Sequence, residues 1–177
     1  MKIELLEGAG AYSTFQALRL PYGKEPRSVG FSEFREDNKG IVSHTSTNID
    51  SKDFELLERL VKSGDEHAKA IRGMVVYTKI VAPIYWWREA ECYRAGHERL
   101  SSTSTMHIDC KGLSGEELQK AKSEIPMGKE CECVDMWSYQ CLRNIYKQRI
   151  NHRLPEWHEF CSWIETLPFA KQLIIGE

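Results

Sequence analysis

The run Met74-Val75-Val76-Tyr77-Thr78-Lys79-Ile80-Val81, closed at once by Ala82-Pro83, constrains what this chain can fold into more than any other stretch. Its β-branched and aromatic side chains predict a strand. Pro83 then suits the first turn of a helix, where its missing N–H would have no intrahelical partner anyway. A helix is therefore expected from Ile84 to about Ala95, ended by Gly96.

Elements on either side follow from the same rules. Lys2 to Leu6 reads as a short strand stopped by Gly8-Ala9-Gly10, and Tyr12 to Leu20 fits helix or strand until Pro21-Tyr22-Gly23 ends it. Lys24 to Asn48 is polar and reads mostly as loop, with a short strand near Gly40 to His44. Ser51-Lys52-Asp53-Phe54 can cap a helix in which Phe54, Leu57, Leu60 and Val61 recur at helical spacing up to Ser63-Gly64. A second short helix is expected over Asp65 to Arg72. Ser114-Gly115-Glu116-Glu117 has the form of a capping box and opens a helix to Ser123, and Pro126 to Glu132 reads as a connector. Val134, Trp137, Cys141, Leu142 and Ile145 keep helical spacing, which predicts one helix from about Cys133 to His152. Pro155 opens a last helix to about Glu165, with Trp157, Phe160, Cys161 and Ile164 on one stripe. The expected fold is α+β: a helix-rich single domain over 1–177 with a small mixed or antiparallel sheet.

A formal charge of -2 over 177 residues argues against a general nucleic-acid coater, which needs many cations to neutralise phosphates. A small anion needs only a few. Met1-Lys2-Ile3-Glu4 lacks the pattern of a signal peptide and no run is long enough to span a bilayer, so a cytoplasmic protein with reduced thiols is expected. Cys131-Glu132-Cys133 lacks the usual zinc-pair spacing. A metal held by His107, Cys110 and this pair is weighed against ordinary free thiols, and the thiols are preferred, with no metal.

The candidate chemistry lies in Trp86 to His107, where Arg88, Arg94 and Arg99 precede the hydroxyl run Ser101 to Thr105. Arginine grips phosphate bidentately and hydroxyls contact it readily. Helical ion pairs offer an equally simple account: Arg88 with Glu91 and Arg94 with Glu98. A second cationic group is Arg143, Lys147, Arg149, His152 and Arg153, which by itself reads as a solvated helix face. The tryptophans read as core or interface.

The order of these motifs resembles the core of the flavin-dependent thymidylate synthases over roughly Leu56 to His107: Glu66-His67, a strand ending in Ala82-Pro83-Ile84, a helix with Trp87-Arg88, then Tyr93-Arg94 and a serine-rich loop. That family carries the signature Arg-His-Arg-x-x-Ser-x-Asn-Glu-x-Ser-x-Arg, which binds the deoxyuridine phosphate and the flavin. A looser similarity covers Leu142 to Glu165. "APIYWW", "STSTMH" and "RNIY…EWHEFC" are similar to phage-type relatives of the family. The resemblance places Arg88 at the family's helix arginine, Arg94 at the second arginine of the signature, Ser101 and Ser102 at its Asn-Glu pair and Ser104 at its serine. Cys92, Tyr93 and Met106 stand where it has arginine, histidine and arginine.

The resemblance implies FAD as a possible cofactor with Glu66, His67 and Arg88 around it. It implies a nucleotide monophosphate or other phosphate ligand at Arg94, Arg99, Ser101, Ser102, Arg149 and Arg153, Ser104 and His107 as catalytic candidates, and a homo-oligomer, by resemblance a tetramer. Three readings follow: a nucleotide- or phosphate-binding protein of this fold whose flavin chemistry has been lost, an active flavin-dependent enzyme modifying a uridine monophosphate, and an inhibitor or adaptor acting by protein–protein contact. The first is preferred, because phosphate affinity survives on two arginines more readily than catalysis survives loss of preorganised groups.

Overall fold

The computed structural model describes residues 1–37 and 40–176, with side chains outside 31–45. The central sheet contains β1 (Lys2–Ala9), β4 (Val75–Pro83), β6 (Glu130–Ser138) and β5 (His97–Ser102) in the order β1-β4-β6-β5, every neighbour antiparallel. β2 (Val29–Asp37) and β3 (Gly40–Asn48) form a separate antiparallel pair. Six α-helices complete the order among the described residues: α1 (Ala11–Arg19), α2 (Ser51–Lys62), α3 (Ile84–Ala90), α4 (Gly115–Ser123), α5 (Tyr139–Arg149) and α6 (Pro155–Glu165). The α+β class and its small antiparallel sheet are those expected from the sequence.

β4 alternates as period 2 demands, with Val76, Thr78, Ile80 and Ala82 buried on the helix-covered face. β6 contributes Cys133, Asp135 and Trp137 to that face. Trp86, Trp137, Trp157 and Phe160 fill the space between sheet, α3 and α6, with the Trp86–Trp157 and Trp137–Phe160 ring centroids 4.9 and 5.4 Å apart. Burial of such rings is the main cohesive term in a core of this kind.

Several boundaries differ from the sequence reading. The polar segment Lys24 to Asn48 contains the β2–β3 pair rather than one short strand, because these strands bond only to each other and carry no continuous apolar run. The helix expected over Cys133 to His152 is a strand, β6, followed by a helix, α5, and β6 begins inside the supposed connector at Glu130. Val134, Trp137 and Cys141 satisfy helical spacing, while the true period-2 series runs through a charged residue, Asp135, which disguises it. α3 stops at Ala90 because the next amides tighten into turns, Cys92 N–H donating to Glu89 O and Tyr93 N–H to Ala90 O, before Gly96 at φ 84° admits the chain to β5. Ala68–Arg72 is a 3-10 turn, and the strand from Lys2 continues to Ala9. α2 is capped by Asp50, whose carboxylate accepts from the Lys52 and Asp53 amides, and Ser114 precedes α4 without a side-chain cap bond.

Candidate functional site

Two junctions meet at one end of the sheet: the turn that enters β5 at Gly96, and the passage from β6 into α5 at Ser138. Ser138 N–H donates to Gly96 O at 2.7 Å, and Ser138 Oγ caps α5 by accepting from Cys141 N–H at 3.1 Å. A Cβ at Gly96 would fall 2.1 Å from Ser138 Oγ, so only glycine permits this approach. Beside it opens a cleft of about 430 Å3, lined by Asp65, Arg72, Ala95, Gly96, Ser138, Gln140 and Asn144.

Burial pushes the Asp65 carboxyl up, but Lys147 and Arg143 outweigh it and hold the group below its ordinary value. The charge of Asp65 is thus met from behind by Arg143 Nε and Lys147 Nζ, each at 3.4 Å. Arg72 is exposed and its guanidinium has no partner among the described residues. Gln140 is 8% exposed, and its Nε2 donates to Asn144 Oδ1 at 3.4 Å while its Oε1 has no hydrogen-bond partner. A buried amide oxygen without a donor is uncommon in folded proteins, and Gln140 carries one at the wall of the cleft.

The residues singled out from the sequence lie in several places. Arg94 is exposed, without a partner among the described residues, and immediately precedes Ala95 at the cleft. Arg99 is engaged: its guanidinium donates to Asp135 at 3.2 Å and to Glu91 and sits 4.4 Å over the Trp87 ring. His97 Nε2 meets the same Asp135 oxygen at 2.8 Å, and its ring stacks on Trp137 at 3.7 Å. Ser101 pairs with Val134 and Ser102 with Cys133, so the pleat sends the two hydroxyls to opposite faces of β5. Thr103 to Thr105 are held locally, Thr103 Oγ1 by Glu132 N–H at 3.1 Å, Ser104 Oγ by His107 N–H at 3.4 Å and Thr105 Oγ1 by Lys122. The cavity beside Ser104 is only about 20 Å3, below the volume of a nucleotide. His107 is exposed.

Glu66 and His67 are exposed and pair with each other at 3.6 Å, Arg88 is exposed, and none of the three lines the cleft. Arg149 donates to Tyr93 Oη at 2.7 Å and Glu89 at 3.0 Å and lies over the Trp157 ring, joining α3 to α5 and α6. Arg153 is exposed without a partner among the described residues. Arg143, read as part of a solvated face, is buried and donates to the Val61, Leu173 and Ile174 carbonyls.

Sequence reasoning missed Gln140, Asn144 and Arg72, because the first two lay inside one supposed helix and Arg72 lay outside any motif. The available signal was the period-2 alternation from Cys133 to Trp137, which would have placed a strand-to-helix junction just before Gln140. Cys131 and Cys133 bring their sulfurs within 3.7 Å, and burial pushes the Cys141 and Cys161 thiols up to about 12 and about 11. Among the described residues no group of three or more His, Cys, Asp or Glu side chains is placed to hold a metal ion. No described helix is long and apolar enough to cross a membrane.

No protein-family model and no curated protein sequence matches the chain. Solved structures do. The flavin-dependent thymidylate synthase ThyX from Helicobacter pylori, complexed with FAD and dUMP, superposes with a TM-score of 0.68 at 14% identity over 98% of both chains. The UMP/dUMP methylase PolB from Streptomyces cacaoi, bound with 5-Br dUMP, superposes with a TM-score of 0.62 at 12% identity over 99% of this chain and 92% of that one. The fold is that of the flavin-dependent thymidylate synthases.

Proposed function

We propose that this chain is a nucleotide-binding protein on the flavin-dependent thymidylate synthase fold, and that its ligand, a pyrimidine nucleoside monophosphate, enters the cleft beside Gly96. The observation that carries the proposal is Gln140 Oε1, buried at the cleft wall without a donor. Once the Gln140 amide rotates into the cleft, a base N–H or a sugar O–H supplies that donor. Arg94 and Arg72, both free of protein partners among the described residues, supply the phosphate contacts by charge-assisted hydrogen bonds. Structures of the same fold that hold dUMP or 5-Br dUMP support the choice of ligand.

Within one chain Arg99 and Arg149 are positioning residues in this reading, since their guanidinium groups already join elements of the fold. Ser101, Ser102 and Arg153 reach a ligand only across a contact between copies. A homo-oligomer suits the uncovered face of the sheet, where Tyr77, Val81, Val134 and Met136 are left half-buried.

The FAD in the superposed ThyX structure favours a second reading, an active flavin-dependent enzyme with Ser104 and His107 as catalytic candidates. Glu66, His67 and Arg88 do not converge on the cleft, so the residues present do not form a flavin site within one chain, and no chemical step is derived through it. Visible spectroscopy of the purified protein with FAD, with and without dUMP, combined with calorimetric titration of dUMP and UMP, separates the readings. Saturable nucleotide binding, weakened by Arg94→Ala and accompanied by no flavin band, is the expected result. A flavin band that shifts on adding nucleotide supports the enzyme, and absence of nucleotide binding refutes the proposal.

A further inference from the structure

A second polar concavity lies apart from the cleft, at the junction of α1, the loop before β2 and the exposed face of α2. It encloses about 290 Å3 and is lined by Arg19, Arg27, Lys52, Glu55, Leu56 and Arg59. Lys52, Glu55, Leu56 and Arg59 fall at helical spacing on α2 and so share one face. The chain as a whole is slightly acidic, with a formal charge of -2, so this concentration of cations is local.

The frame that holds them is built around Asp53, which is fully buried. Its Oδ1 accepts from Arg19 Nε at 2.6 Å, and its Oδ2 accepts from Arg27 N–H and Ser28 N–H, both at 2.8 Å, and from Ser28 Oγ–H at 2.9 Å. Ser28 Oγ in turn accepts from the Asp50 amide at 3.1 Å. One carboxylate therefore fixes the end of α1, the backbone of Arg27 and the start of α2 relative to one another. Asp53 consumes the charge of Arg19 in doing so. Arg27, Lys52 and Arg59 have side-chain charges with no partner among the described residues, and they face a single lining carboxylate, Glu55.

The geometry points to a second anion site here, for a linear di- or triphosphate chain. Unpaired like charges converging on one concavity repel each other, and a multivalent anion relieves the repulsion while accepting bidentate bonds from the two guanidinium groups. A single phosphate leaves part of this charge unmet. The backbone lock at Asp53 means that little ordering of the loop is needed on binding. Because the free cations are exposed, the affinity falls as salt rises.

Calorimetry with tripolyphosphate, pyrophosphate, orthophosphate and UTP, at low and at physiological salt, tests the site. Expected are saturable binding in the order tripolyphosphate, pyrophosphate, orthophosphate, a marked weakening at the higher salt, and a loss of about tenfold or more in the Arg27→Ala/Arg59→Ala variant, roughly that of two charge-assisted contacts. Lys52→Ala, a single exposed change, serves as a second variant with a smaller loss. Arg72→Ala/Arg94→Ala, which removes the phosphate contacts of the cleft, leaves tripolyphosphate binding unchanged, and this keeps the site distinct from the nucleotide cleft. Equal affinities for tripolyphosphate and UTP identify the phosphate chain alone as the ligand, and tighter UTP binding identifies a nucleoside triphosphate. No saturable binding at low salt, binding indifferent to the double variant, or an oligodeoxynucleotide that displaces tripolyphosphate at lower phosphate concentration overturns the inference.

Discussion

Gln140→Leu separates a ligand site from a structural polar residue, because the two roles move stability and affinity in different directions. In the free protein Gln140 Oε1 is buried without a donor, and its Nε2 makes one long bond of 3.4 Å to Asn144. An unsatisfied buried carbonyl costs about 1–3 kcal/mol, and replacing it with an apolar group of similar size is neutral or stabilising. Leucine removes the orphan and loses little, so the free protein is expected to gain up to about 3 kcal/mol. In a domain of this length that raises Tm by roughly 2–4 °C per kcal/mol. The bound state loses its hydrogen bond at the same position, and dUMP affinity is expected to fall by about tenfold, the equivalent of about 1.4 kcal/mol. Differential scanning calorimetry without ligand and titration calorimetry with dUMP measure the two quantities on one preparation. A free protein destabilised by more than about 1 kcal/mol would show that Gln140 has a structural partner, contrary to the reasoning. Unchanged dUMP affinity would refute its role as a ligand acceptor.

Other outcomes follow from the same contacts. Asp53→Ala leaves Arg19 and the Arg27 and Ser28 amides without their acceptor and is expected to cost about 3–5 kcal/mol by urea denaturation. A cost under about 1 kcal/mol would show that the frame is held elsewhere. Burial pushes the Asp53 carboxyl up, but the Ser28 amide, Arg19 and the other donors outweigh it and hold it below the ordinary 3.8. The unfolded chain then takes the proton first, so the stability from Asp53 is fully present above 3.8 and is lost as pH falls through the lower folded value. Asp53→Asn is accordingly expected to be less stable at pH 7 and to lose less than the parent between pH 5 and pH 2, read from urea midpoints across pH. Gly96→Ala places a methyl 2.1 Å from Ser138 Oγ at φ 84°, and a loss of several degrees in Tm, with weaker dUMP binding, is expected. Arg149→Ala removes the bonds to Tyr93 and Glu89 from a partly buried cluster, and a loss of about 1–3 kcal/mol with no change in tripolyphosphate binding is expected by denaturation and calorimetry.

Two of the four strands of the central sheet, β1 and β4, and the last helix were legible because local chemistry and global packing agree there. Val75 to Pro83 carries strand propensity along its whole length, and the apolar stripe of α6 keeps one period. Legibility failed where a buried charge stands in for an apolar residue. Asp135 occupies a core position of β6 because His97 and Arg99 satisfy it from β5, and no pattern local to Cys133–Trp137 carries that information. The cleft failed for a different reason. Its lining comes from the Asp65–Arg72 segment, the Ala95–Gly96 turn and the start of α5, which are brought together by strand order alone.

Eight of the arginines divide into two groups of four by what their guanidinium groups touch. Arg19, Arg99, Arg143 and Arg149 each meet a carboxylate and join elements distant in sequence: α1 to α2, β5 to β6, α5 to the chain after α2, and α5 to α3. Removing any of these takes a charged donor from a carboxylate that ties two parts of the fold together, so their loss reads out as instability whatever else they do. Arg27, Arg59, Arg72 and Arg94 have no such partner among the described residues, and each lines or adjoins a polar concavity. A side chain with no fold partner can be removed at little cost in stability, and any effect on anion binding is then attributable to the ligand. Sequence spacing treats Arg94 and Arg99 alike. Arg99's place on β5 and the Asp135 carboxylate separate them, tying Arg99 into the architecture and leaving Arg94, in the turn before that strand, without a fold partner among the described residues.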